Sequence, residues 1–166
     1  MLLGLSAILD CPGQSIPFQV SVDLSDLRYG LSYPVSEAVV AQGTVRNTAG
    51  VLVMTGQVST TIHGICDRCA GPFDRVVSFP IDAVLVQKLE HEEDEDEGVF
   101  PLVGDSADLD DIVRTVFVLN MDSKLLCRQD CKGLCARCGK NLNEGPCDCR
   151  KEIDPRLAAL KQLLEK

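Results

Sequence analysis

Cysteine dominates the chemistry available to this chain. Eight of its nine cysteines fall into four close pairs: Cys66/Cys69, Cys127/Cys131, Cys135/Cys138 and Cys147/Cys149. Two thiolates separated by two residues around a tight turn can both face one tetrahedral ion, and a second pair closes the shell. The strongest unit is Cys135–Cys138, because Gly139 directly after it tolerates the left-handed backbone that such a knuckle needs. Four pairs therefore predict one or two Zn2+ ions per chain, each held by four thiolates. The preferred division places Cys135, Cys138, Cys147 and Cys149 on a local site, and Cys66, Cys69, Cys127 and Cys131 on a site that clips an upstream turn to the downstream module. Another division, with Cys127/Cys131 facing Cys135/Cys138 on one ion, stays open and leaves Cys66/Cys69 outside.

Two other uses of paired cysteines compete. A disulfide framework suits small secreted chains, but this one is larger and shows no persuasive secretory signal. A redox dithiol usually occurs once, at a helix start in a βαβ pattern, and has no need of four pairs. Cys11 stands alone beside Pro12 and reads as a small buried hydrophobe. His63 precedes Cys66 by three residues and is an alternative ligand, although a strand histidine facing solvent or a neighbour is the plainer reading. His91 sits in the acidic run from Glu90 to Glu97, which lacks the spaced geometry of a calcium loop and reads as a solvated segment.

The elements that must position these thiols follow from the apolar pattern. The fold class predicted is α+β: an antiparallel β-meander, one packed helix, a cysteine-rich zinc-knuckle module and a short C-terminal helix. Residues 1–87 form the β region, 88–107 an acidic loop, 108–126 the helix and its connection, 127–151 the cysteine module and 152–166 the last helix. The apolar Met1–Leu9 stretch reads as a first strand, being too short to span a bilayer. Pro12, Gly13, Pro17, Gly30 and Pro34 break residues 1–35 into short extended pieces. Val39, Ala41, Gly43 and Val45, then Leu52, Met54, Val58 and Ile62, alternate on either side of a polar turn at Asn47–Gly50, which predicts a hairpin. Val77, Phe79, Ile81, Ala83 and Leu85 continue the alternation, so Cys66/Cys69 belong at a hairpin tip. Pro80 implies an edge strand or a bulge there. Leu109, Ile112, Val113, Val116 and Phe117 form one helical stripe behind an Asp108 cap. Asp154 and Pro155 open the last helix, with Leu157, Leu160 and Leu164 on one face.

Composition narrows the function. The chain has 166 residues, a formal charge of −9 and no tryptophan. That balance argues against wholesale attraction to a phosphate backbone, and no stretch reaches transmembrane length. A soluble cytoplasmic protein with reduced thiols is expected. The stretch from Lys124 to Lys151 is the basic exception: Lys124, Arg128, Lys132, Arg137, Lys140, Arg150 and Lys151 oppose only Asp130, Glu144 and Asp148. Those seven cations are the candidate RNA or partner contacts. Ionised four-thiolate zinc sites carry about −2 each, which offsets that surplus.

The run from Cys131 to Asn143, the Cys147/Cys149 pair and the segment Asp154–Leu160 together resemble the YceD family, the large ribosomal RNA subunit accumulation proteins. The Cys66/Cys69 pair, followed by an acidic stretch and then a helix, resembles the same family. The resemblance implies a bacterial cytoplasmic protein needed for normal levels of large-subunit ribosomal RNA, with that RNA or a ribosome assembly protein as its partner. Together with the thiols, it predicts a non-catalytic zinc-binding accessory factor with no small-molecule substrate. A thiol-based redox or zinc-responsive regulator is the alternative. A metal-dependent nuclease ranks last, because four thiolates leave a zinc ion no open position for water.

Overall fold

The computed structural model describes residues 1–30, 32–87 and 98–149. Its frame is a five-stranded sheet in the order β2 (Ser15–Val22), β3 (Val39–Thr48), β4 (Val51–Ile65), β5 (Pro72–Val86) and β6 (Val99–Pro101). The period-two pattern has its physical cause here, because successive side chains leave a strand on opposite faces. Val39, Ala41 and Val45 of β3 and Leu52, Met54, Val58 and Ile62 of β4 are buried on one face, with Val77, Ile81, Ala83 and Leu85 of β5 beside them. The β3–β4 turn is tighter than the expected Asn47–Gly50 loop. Asn47 and Thr48 still pair with Leu52 and Val51, which leaves Ala49 and Gly50, both left-handed, as the turn. Two such residues match the natural strand twist.

Helix α2 (Leu109–Asn120) covers the apolar face of the sheet, and the side chain of Asp108 accepts a hydrogen bond from the Asp110 N–H as its cap. All five residues of its predicted stripe are buried, and Phe117 meets Phe79 edge-to-face with ring centroids 5.6 Å apart. Leu125, past the end of this helix, belongs to the same buried cluster and anchors the chain before Cys127.

Several expectations need correction. The Met1–Leu9 stretch is not one strand. It divides into β1 (Leu2–Gly4), which pairs with β7 (Ser106–Asp108), and the single-turn helix α1 (Ser6–Leu9). Leu5 and Ile8 are both buried, at helical spacing, and a nearly continuous apolar run does not show which period it obeys. Cys11 is exposed, not buried, because it lies in the surface turn after α1, with its N–H bonded to the Ile8 carbonyl. Pro17 does not interrupt β2, an edge strand that can forgo an N–H. The sheet is not wholly antiparallel, since β6 pairs parallel to β5 over Val84–Val86. A parallel neighbour requires a long connection rather than a tight turn. Pro80 lies opposite Gln57 in unbroken register, beyond the reach of β6, so the edge reading holds and there is no bulge.

The acidic run with His91, and Arg150, Lys151 and the helix predicted over 152–166, lie outside the described residues. Among the described residues no helix is long and apolar enough to cross a membrane.

Candidate metal centre

The tip of the β4–β5 hairpin spans Cys66 to Gly71, and its hydrogen bonds define a knuckle. The Cys66 N–H donates to the Gly71 carbonyl at 2.8 Å, and the Ala70 N–H donates to the Cys66 carbonyl at 2.8 Å. The same pattern recurs downstream. The Cys135 N–H donates to the Lys140 carbonyl at 2.9 Å, and the Gly139 N–H to the Cys135 carbonyl at 2.9 Å. In both, the residue after the second cysteine is left-handed, with φ of 53° at Ala70 and 70° at Gly139. This turn aims both sulfurs of a pair to one side. An alanine there carries a steric cost that glycine avoids, partly offset by glycine's larger unfolded-state entropy. Ala70→Gly is expected to stabilise the protein by about 0.5–1 kcal/mol, read as a higher urea midpoint with unchanged metal content.

Each knuckle faces a second pair. The sulfurs of Cys66, Cys69, Cys127 and Cys131 all lie within 4.8 Å of one another, as do those of Cys135, Cys138, Cys147 and Cys149. We call these the inner and outer clusters. Cys66 and Cys131 are buried, whereas in the outer cluster Cys138 is exposed and the others are half-buried. The Cys66–Cys131 and Cys69–Cys127 sulfur separations are 3.8 Å. A tetrahedron with metal–sulfur bonds of about 2.3 Å has edges of roughly 3.8 Å. A disulfide requires about 2.05 Å, and every cysteine is a free thiol. The donor set therefore fits a divalent ion with a preference for soft ligands, at two places.

Without an ion the four thiols of a cluster cannot ionise alike. Burial disfavours the Cys66 thiolate, but the backbone N–H groups of Cys127, Cys69 and Arg68 outweigh it and bring the thiol down to about 6. Cys127 is pushed up to about 12, by burial first and then by the sulfurs of Cys131, Cys66 and Cys69. In the outer cluster the N–H groups of Cys138 and Arg137 lower Cys135 to about 6. Cys149 rises to about 12 through its contact with the Cys138 sulfur, then burial and the Cys135 sulfur. A central dication would supply the positive charge that lets all four lose their protons.

Residues absent from the sequence-derived site hold the clusters in place. The Asp67 N–H donates to the Leu125 carbonyl at 2.8 Å, and the Asp67 carboxylate accepts from the Leu125 N–H at 2.7 Å. Arg68 donates to the carbonyls of Gln129 and Cys131 at 3.3 and 3.2 Å, and its own carbonyl accepts from the Leu134 N–H at 3.1 Å. Gly133 passes so close that a Cβ there would lie 2.9 Å from the Arg68 carbonyl oxygen. Asn143 donates to the Cys131 sulfur at 3.3 Å. The position of Asp67 and Arg68 between two ligands was the available signal for them; Gly133 and Asn143 carried none. His63 is not among the cluster ligands, and its Nδ1 meets Asp74 at 2.6 Å.

The described candidate cations are unevenly engaged. Arg128 contacts Asp130 and Asn143, Lys140 donates to the Pro146 carbonyl, and Arg137 also has a partner. Lys124 and Lys132 are exposed, and among the described residues no hydrogen bond or ion pair engages their ammonium groups.

Fold and clusters define a small α+β protein in which one four-sulfur centre fastens a hairpin tip to a loop module and a second closes that module on itself. Residues 54–164, which include all eight paired cysteines, match the family described as Large ribosomal RNA subunit accumulation protein YceD, and the chain belongs to the YceD family. Uncharacterized proteins of Mycobacterium tuberculosis and Mycobacterium bovis are 32% identical over 117 residues, covering 69% of this chain and 56% of theirs. A protein of Arabidopsis thaliana named Large ribosomal RNA subunit accumulation protein YCED homolog 1, chloroplastic, is 36% identical over 72 residues, covering 43% of this chain and 22% of its own length. The chain thus spans about half the length of the mycobacterial relatives it matches. No solved structure matches it.

Proposed function

We propose that this chain is a zinc-stabilised, non-catalytic accessory factor for accumulation of large-subunit ribosomal RNA, working in the cytoplasm by binding. The observation that carries this reading is the pair of four-sulfur clusters within a stretch matched to the YceD family. Cys66, Cys69, Cys127 and Cys131 would hold one ion, and Cys135, Cys138, Cys147 and Cys149 the other. Zinc supplies cross-linking here rather than reactivity, because four thiolates complete its coordination and leave no position for a reacting water. The residues around it do the rest: Asp67 and Arg68 seat the arm from Leu125 to Cys131, and Leu125 fastens it to the core.

Charge favours an assembly protein over naked RNA as the partner. Arg128, Arg137 and Lys140 are engaged within the chain, and two ionised sites add about −4 to the module. Co-sedimentation with large-subunit precursors at low salt is the expected result. A shallow dependence on salt would fit a protein partner, and a steep one would transfer the contact to phosphates. Recovery solely in the ribosome-free pool would remove the proposal.

The exposure of Cys138 favours one second reading, a thiol-based regulator. It predicts reversible oxidation of the outer cluster by mild peroxide with release of its ion. Inert thiols under that treatment would exclude it.

A further inference from the structure

Asn143 lies in the loop joining Cys138 to Cys147, both outer-cluster residues, yet its side chain reaches the inner cluster. Every hydrogen-bonding position of its amide is used. Oδ1 accepts from the Lys132 N–H at 2.8 Å and from the Arg128 guanidinium at 2.8 Å. Nδ2 donates to Asn141 Oδ1 at 2.8 Å and to the Cys131 sulfur at 3.3 Å. Two donors on the oxygen fix the orientation of the amide, so the NH2 end must face the sulfur. The loop is tied to the same place by its backbone, since the Leu142 N–H donates to the Gly133 carbonyl at 2.9 Å.

We propose that Asn143 couples the two clusters, so that an ion in the outer one tightens the hold of the inner one through the hydrogen bond to Cys131. The inference rests on the metal reading above. An outer ion pins both ends of the loop and removes conformations in which Asn143 leaves the sulfur. An N–H donated to a metal-bound thiolate draws off charge and fixes the ligand's direction, which slows its exchange and its attack on electrophiles. Linkage makes the effect mutual: an inner ion tightens the outer cluster by the same factor.

The test uses the full chain loaded with zinc, a chromogenic chelator to time metal release, and N-ethylmaleimide with peptide mass spectrometry to time alkylation of Cys131. Asn143→Asp keeps the shape and the acceptor Oδ1 but replaces the NH2 donor with an oxygen. Cys147→Ser/Cys149→Ser removes the outer ion and keeps the Asn143 side chain unaltered. Each change is expected to speed inner-ion release and Cys131 alkylation by about 10-fold, the lower end of what lost outer-shell bonds cost. Combining them should accelerate both no further than the stronger of the two alone. Asn143→Ala provides the same readings without a new charge. Factors that multiply in the combination, or unchanged Cys131 alkylation in Asn143→Asp and Asn143→Ala, would overturn the coupling. Wild-type protein that takes up no metal would overturn the metal reading itself, a result visible before any variant is made.

Discussion

Cys66→Ser is expected to lower the metal content by one ion per chain and to free the arm from Leu125 to Cys131 from the hairpin tip. The inner cluster is the only one that joins distant parts of the chain, since Cys66 and Cys69 follow β4 whereas Cys127 and Cys131 follow α2. Zinc in comparable four-ligand sites contributes roughly 10–16 kcal/mol of apparent binding energy, as much as an ordinary domain's whole stability. The hydrogen bonds of Asp67 and Arg68 cannot replace that, at about 1 kcal/mol each. Removing one sulfur also leaves Cys131 buried without its ion. Limited proteolysis should cut between residues 121 and 149, while the sheet keeps its protection because, Leu125 apart, its buried core lies outside that stretch. Cys138→Ser gives the contrast: the same loss of one ion, but cleavage confined to residues 132–149, with Leu125 and the inner knuckle still docked. An unchanged metal count and digestion pattern in Cys66→Ser would refute the assignment of the inner cluster.

Asn47→Leu is expected to destabilise the sheet by about 3–5 kcal/mol without changing metal content. Asn47 is fully buried. Its Nδ2 donates to the carbonyls of Ile8 and Leu9 at 2.7 Å each, and its Oδ1 accepts from the Gly50 N–H at 2.8 Å. Its backbone adds two bonds, to Gln14 and Gly13. The Asn47 side chain therefore ties α1 to the β3–β4 turn, and its backbone adds the turn before β2. Leucine fills the same space but leaves the Leu9 carbonyl and the Gly50 N–H without partners and the Ile8 carbonyl with the Cys11 N–H alone, each lost partner costing about 1–3 kcal/mol where the group is buried. Strand β4 separates this clamp from the first knuckle by 15 residues, roughly 50 Å of extended chain. The urea midpoint should fall while zinc release keeps its rate. A midpoint shift below about 1 kcal/mol, or a matching acceleration of zinc release, would show that the clamp does not act as argued.

Period and spacing are properties of neighbouring residues, and what depends on them was legible in the sequence. Val39–Val45 and Leu52–Ile62 announce two strands because alternate side chains must share a face. Leu109–Phe117 announces a helix, and the pairing of cysteines two residues apart announces knuckles, since a tight turn alone brings such sulfurs together. Asn47 shows the limit: its type suggested a turn, but burial and the carbonyls of Ile8 and Leu9 made it a clamp in a strand. The run from Met1 to Leu9 shows another, because apolar residues on nearly every position satisfy either period.

Only the tertiary structure decides which pairs converge. The chain from Cys69 to Cys127 passes through β5, β6, β7 and α2, and no local rule states where it returns. Its return is set by Leu125 entering the core and by Asp67 and Arg68 meeting the incoming backbone. The parallel placement of β6 and the close approach of Gly133 to the Arg68 carbonyl are of the same kind. Each depends on contacts between residues far apart in sequence, and composition and spacing hold no record of those contacts.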